Sequence, residues 1–218
     1  GDHRDLHSFP TRRSPILSKQ DKEFTMKLIT RLFAASVLTF GFANATPHTL
    51  DESHTEVGFS VKHLMITNVK GEFTNFSGEI DFDHKSKTFN KLNAVIQTKS
   101  VDTGIVKRDN HLRSEDFFLA EKYPPQITFN MKSYEGDGDE GVMVGDLTIR
   151  GITKQVKLEV EDLGTIKDFE GNNRVGFTLK GKIKRGDYGL KWNKALEFGG
   201  FAVGEKVKII VEIEAVEK

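Results

Sequence analysis

Beyond residue 56, apolar side chains recur at every second position, and the residues between them are mostly Lys, Glu, Thr and Asn. The run 57–63 sets Val57, Phe59, Val61 and His63 on one side against Gly58, Ser60 and Lys62 on the other. The same period returns in 69–73, 76–82, 91–98, 126–132, 142–152, 155–161, 174–183 and 206–216. A period of two marks a strand with one dry and one wet face, and such strands pair antiparallel. Turn-forming clusters separate the runs at 83–86, 136–139 and 171–173, and at Gly199-Gly200 with Gly204. The phase changes once inside a run, at Thr74-Asn75. A one-residue slip exchanges the two faces, so a bend or bulge belongs there. About eight such strands predict an all-β domain that stacks as a sandwich or closes as a barrel.

Two places break the alternation. Leu64-Met65-Ile66 puts three apolar residues in a row between two strands. Residues 100–125 show no period of two; there, Ser114–Ala120 predicts one or two helical turns, ended by Pro124-Pro125. This is the longest connection in the chain, and long ordered connections on β-scaffolds serve as lids or binding loops.

The N-terminus reads differently. Residues 1–25 include HSFPTRRS (7–14), which resembles the translation of a sequencing-adapter primer, and are read as a non-native extension. Residues 26–45 read as a signal peptide: Lys27 and Arg31, an apolar run over 32–42, then Ala43-Asn44-Ala45 as a small-x-small cleavage site. The apolar run is too short for a spanning helix, so no stable membrane insertion is expected after cleavage. No cysteine follows the cut to carry a lipid anchor. This predicts one periplasmic domain over 46–218, large enough to bury roughly 70% of its unfolded surface.

Within 46–218 the balance is 25 Lys and Arg against 28 Asp and Glu, which gives nucleic-acid binding no support. With no cysteine, the exported domain relies on its core alone. Twelve Phe fall in this region, against three Tyr and one Trp. Rings without a polar handle make a dry interior. By pattern alone they fill a solid core more simply than they line a cavity, although an eight-stranded barrel can do either.

The chemistry-bearing residues form no strong motif. His48, His54, His63, His84 and His111 show no metal-ligand spacing, and a GxSxG elbow is missing. The acidic run 136–141 lacks calcium-loop spacing and reads as a hairpin turn. The densest polar cluster is 107–118, for which three readings stand. His111 is a base oriented by Asp109; or Arg108 and Arg113 tie the loop to the barrel through carboxylates or carbonyls; or Arg and His meet a ligand headgroup. Residue types favour the second.

Four ordered blocks, 54–83, 100–129 (SVDTG…KRDNHLRSEDFFLAEKYPPQITF), 145–160 (GDLTIRGITKQVKLEV) and 185–193 (RGDYGLKWN), resemble the YceI-like family of exported lipid-binding proteins. The resemblance spans about 48–216. It implies an all-β, eight-stranded antiparallel, lipocalin-like barrel with a short helical lid around 100–125. It also implies an apolar lumen holding an isoprenoid chain, such as a polyprenyl or quinone tail, or another long-chain amphiphile. Pairing of some members implies a homodimer, and no cofactor, metal or catalytic residue is implied. On this reading Phe59, Val61, Phe73, Phe76, Ile80, Phe129, Ile149, Phe177, Leu179 and Ile209 line the lumen. His63, Leu64, Met65, Phe117, Phe118 and Phe201 stand at the mouth and lid, with Lys62 beside His63 on the headgroup side. The rival functions are an enzyme acting on a bound lipid or quinone through His111 and Asp109, and a solid-cored sandwich interaction domain.

Overall fold

The computed structural model describes residues 46–197 and 199–218. The expected extension (1–25) and signal peptide (26–45) lie outside the described residues. Eleven strands form one sheet: β1 (Pro47–Leu50), β2 (Glu56–His63), β3 (Thr67–Phe73), β4 (Phe76–Asp83), β5 (Thr88–Gln97), β6 (Val101–Asp102), β7 (Gln126–Asp137), β8 (Glu140–Ile149), β9 (Ile152–Lys167), β10 (Asn173–Lys184) and β11 (Val203–Glu217). A single helix among the described residues, α1 (Val106–Leu112), lies between β6 and β7.

The sheet closes on itself. β11 pairs with β10 on one side; on the other it pairs with β2 through residues 203–212 and with β1 through 215–217. β1 and β2 thus form one interrupted stave along β11. β3 and β4 form the next, with β4 on β1 and β3 on β2. β5 and β6 form a third, with β5 on β4 and β6 on β3. Counted as staves, the barrel has eight antiparallel members in sequence order, each beside its chain neighbour.

The three interruptions lie side by side. A 3₁₀ turn at Glu52–His54 divides the first stave, Thr74-Asn75 the second and a 3₁₀ turn at Thr98–Ser100 the third. Backbone bonds cross this line of kinks, from Thr74 N–H to the Ser100 carbonyl (3.2 Å) and from Gln97 N–H to the Asn75 carbonyl (2.9 Å). The bend expected from the phase change at Thr74-Asn75 is therefore one of three in register. Below the line the ring is tight. Above it, β6 has only two residues and pairs with β3 alone. The barrel is open at that end, and residues 103–125 occupy the gap between β6 and β7.

The closed end is packed solid with Phe82, Phe89, Met143, Val160, Val175, Phe177 and Ala215. Phe89 is the hub of that floor, its ring 4.9 Å from Phe82, 4.9 Å from Tyr134 and 4.7 Å from Phe177. Gly145 makes room for one wall: a Cβ there would stand 2.3 Å from Cζ of Phe129, so the ring lies flat over bare backbone.

The helix sits earlier than the sequence suggests, at 106–112 rather than 114–120. Propensity over 114–120 is overridden by tertiary bonds at the start of the segment. Asp109 is buried, and its Oδ1 accepts from the Thr103 N–H (3.0 Å) and hydroxyl (2.5 Å), fixing the first turn to the end of β6. Residues 114–122 form successive turns instead.

Candidate functional site

The barrel encloses a cavity of about 600 Å³, in the range of ligand pockets. Its walls are the inward positions of the alternating strands: Phe59 and Val61 of β2, Phe73 of β3, Phe76 and Ile80 of β4, Phe129 of β7, Ile149 of β8, Leu179 of β10 and Ile209 of β11. Nine of the ten residues expected in the lumen therefore line it. Phe177 does not; it lies one inward step below Leu179 and packs against Phe89 in the floor. Ile127, Leu147, Val156 and Leu158 also line it, and their alternation within β7, β8 and β9 was legible in the sequence.

Several residues of the mouth and lid also meet the cavity. Phe117, Phe118 and His63 line it; Phe118 stands edge-on to Phe73 at 6.1 Å. Leu64, Met65 and Phe201 do not line it. The β2–β3 turn carries Leu64 and Met65 past the rim into solvent, where they are 39% and 58% exposed, and Phe201 is 56% exposed beside them. The reason is the turn itself. Leu64 and Met65 adopt left-handed backbone (φ 48° and 65°), which reverses the chain within two residues and leaves no segment to fold inward.

The cluster at 107–118 resolves into anchors. Arg108 donates from Nε to the Thr103 hydroxyl (2.7 Å) and from Nη2 to the Thr103 carbonyl (2.8 Å). Arg113 donates to the carbonyls of Lys99 (2.8 Å) and Val101 (2.5 Å). Arg150 at the β8–β9 turn stacks 3.6 Å over Tyr123 and donates to the Gly189 carbonyl, holding the end of the lid. Asp109 and His111 are not paired. Two residues apart on a helix they face different ways, Asp109 is taken by Thr103, and His111 meets Asp116 at 2.9 Å. The acid–base arrangement drawn from the sequence is thus not assembled.

Among the cavity residues that the sequence did not single out are Trp192 and Arg185. Trp192 lies 4.6 Å edge-on to His111 and 5.8 Å from Phe117, completing an aromatic cap. Its signal was that it is the single tryptophan, inside a resembled block. Arg185 is 4% exposed and lies against the cavity, with Nε on the Gly204 carbonyl (2.9 Å) and Nη1 on those of Leu190 (2.6 Å) and Trp192 (2.8 Å). Burial pushes its pKa down, with a partial offset from Glu205. Nothing in its sequence context foretells a guanidinium held by carbonyls.

The ionisable lining is lopsided. Lys62, His63, Lys107, Arg108, His111 and Arg185 all belong to β2, α1 or the segment after β10 at the open end, and among the described residues no carboxylate lines the cavity. At the opposite end, His48 and His84 meet Nε2 to Nε2 at 2.8 Å. The Thr46 carbonyl, 2.7 Å from Nδ1 of His48, can only accept; Nδ1 therefore carries the proton and His84 donates to His48. Burial is the main force holding His48 below its ordinary pKa. Asp51, His54 and Glu214 also converge, but Arg174 already donates to Asp51 (2.9 Å) and Glu214 (2.6 Å) there.

Comparison with known proteins agrees with this architecture. The YceI-like domain model matches residues 48–215. The protein YceI of Escherichia coli O157:H7 is 37% identical over 193 residues, 88% of this chain and 97% of that protein. The crystal structure of the Campylobacter jejuni YCEI protein superposes with a TM-score of 0.64 at 43% identity, over 78% of this chain and 97% of that one. A polyisoprenoid binding domain from Saccharophagus degradans shares the fold alone, at 16% identity and a TM-score of 0.57 over 80% of this chain and all of its own. The closed eight-stave barrel, the signature blocks and the match over 48–215 together make this chain a member of the YceI-like family.

Proposed function

We propose that this protein binds a long-chain isoprenoid-like lipid in the barrel lumen and carries or sequesters it in the periplasm. One observation carries the reading: an apolar cavity of about 600 Å³ lies inside the barrel, with every charged lining residue at its open end. A tail in water costs about 0.8 kcal/mol per CH₂. A dry lumen recovers much of that without specific polar contacts, and the polar mouth stays available for a headgroup. Discrimination between tails of similar length is then weak, since one methylene is worth about 1–3 kcal/mol. The polyisoprenoid binding domain of Saccharophagus degradans supports the ligand class, and the exported character of the family supports the compartment. The acid–base rival gains no support, because its two residues are engaged elsewhere.

The test is solvent extraction and native mass spectrometry of protein purified from a bacterial envelope without detergent. The expected result is a stoichiometric lipid whose mass leaves the protein on activation. Protein that is empty after purification, and that takes up neither geranylgeraniol nor a C18 fatty acid when offered, refutes the carrier reading.

A further inference from the structure

We propose that the open end of the barrel is a docking face for an anionic membrane surface, with the β2–β3 turn as its tip. This rests on the lipid-carrier reading for its purpose, but on separate observations for its substance.

The first observation is the turn. Ile66 N–H donates to the His63 carbonyl at 3.2 Å, so Leu64 and Met65 are the two central residues of a tight hairpin. Both have positive φ, 48° and 65°. Asn-Gly fills such a turn with little strain, whereas branched or bulky side chains fill it poorly. Here the two strained positions carry large apolar side chains, followed by Ile66 at 80% exposure. Strain and apolar exposure at the same residues both work against the isolated domain, so whatever favours them lies outside it. Phe201 belongs to the same patch: Leu64 N–H donates to the Ala202 carbonyl (2.9 Å), and a Cβ on Gly200 would touch Met65 at 3.4 Å. Exposed Ile105 and Val106 add to the rim where α1 begins.

The second observation is charge. On the outer wall beside this rim, Lys184 stands directly opposite Lys206 and Lys182 opposite Lys208 across the β10–β11 ladder. The row continues through Ser60, which pairs with both Lys208 and Lys70. Like charges set opposite one another destabilise a sheet. The ion pairs of the described residues leave out all of these lysines, together with Lys62 and Lys107 at the mouth. The domain is net acidic, yet this wall is basic. An anionic leaflet complements it, and the apolar tip enters the headgroup boundary. A second copy of the chain fits less well, because a two-fold contact would set lysine against lysine. Docked this way, the mouth opens toward the bilayer, and a tail passes from leaflet to lumen without crossing water.

Co-sedimentation with vesicles of phosphatidylcholine alone, or with 30% phosphatidylglycerol, tests the proposal. The protein is expected to pellet with the anionic vesicles and at least tenfold less with the neutral ones, and 0.5 M salt should release it. Leu64→Asn with Met65→Gly and Ile66→Thr installs a relaxed polar turn. This variant should lose vesicle binding at least tenfold while its melting temperature stays level or rises, an outcome that a merely structural turn would not give. Lys182→Gln with Lys208→Gln should weaken binding while the melting temperature stays level or rises, because the substitution relieves the lysine–lysine repulsion across the ladder. Absence of vesicle binding, equal binding to both lipids, or an unaffected tip variant overturns the proposal. So does a wild-type dimer in sedimentation velocity that the tip variant converts to monomer, which would assign the face to a second copy. Lipid content measured on the same preparations keeps the two readings apart: a protein that docks but never contains lipid removes the carrier reading and leaves the docking face standing.

Discussion

Ala94→Phe separates a lumen that holds a tail from one that is merely packed. Ala94 points inward from β5, faces Gly78 of β4 and Phe129 of β7 in register, and lines the cavity. A ring placed there projects into void rather than into a neighbour's backbone. It takes up apolar wall contact that a tail would otherwise make. A phenylalanine side chain buries about 2–3 kcal/mol of transfer free energy. At 1.4 kcal/mol per tenfold, a lumen-filling tail should bind roughly 30- to 100-fold more weakly. Stability should hold or rise, because the ring fills space that the native wall leaves unsupported. The assay is displacement of a fluorescent polyene fatty acid, read alongside thermal unfolding. A folded variant with unchanged affinity would show that the ligand does not occupy the lumen. Loss of folding would show that Ala94 sits in a filled core, and the cavity argument would fail with it.

Three further outcomes follow from the same geometry. Thr103→Val removes the hydroxyl that donates to Asp109 and accepts from Arg108, at a cost of about 1–3 kcal/mol. Amide exchange over 106–112 and lipid release should both accelerate, and unchanged protection by hydrogen-exchange mass spectrometry would contradict the anchoring role. Arg185→Lys leaves at least one of the carbonyls of Gly204, Leu190 and Trp192 without its donor, since an ammonium lacks the planar fork. About 3 kcal/mol should be lost, lowering the melting temperature by roughly 10 °C; a shift below about 2 °C would show the fork to be dispensable. Finally, Arg174 donates to Asp51 and Asp168, and this is the largest cause holding each carboxyl at about 2. Because those folded values lie below the usual 3.8, the stabilisation is present above about pH 4 and lost as pH falls toward 2. Arg174→Gln should therefore melt lower than wild type at neutral pH, with the gap closing in acid; a gap that persists at pH 2 would refute the linkage.

Alternation along the chain was sufficient to place the nine longer strands and their inward faces, although not the short β1 and β6; that those faces line a cavity came from the family resemblance, since pattern alone favoured a solid core. Phe59, Phe129 and Leu179 could be assigned to the interior because side-chain direction in a strand follows from position alone. The kink at Thr74-Asn75 was equally legible, because a phase slip is a local property. The tertiary structure decided what local pattern cannot encode. Phe177 and Leu179 are equivalent in alternation, yet one seals the floor and the other lines the void, because only ring closure sets the depth of each inward step. The helix formed where Asp109 reaches Thr103 rather than where propensity is best, because buried hydrogen bonds outweigh a few tenths of a kcal/mol of intrinsic preference. The stretch Leu64-Met65-Ile66 shows the same division. Its apolar character is written in the sequence, but whether it faces the lumen or the solvent depends on two positive φ angles. Those angles turn the chain outward at the rim, and they exist only because β2 and β3 pair in that register.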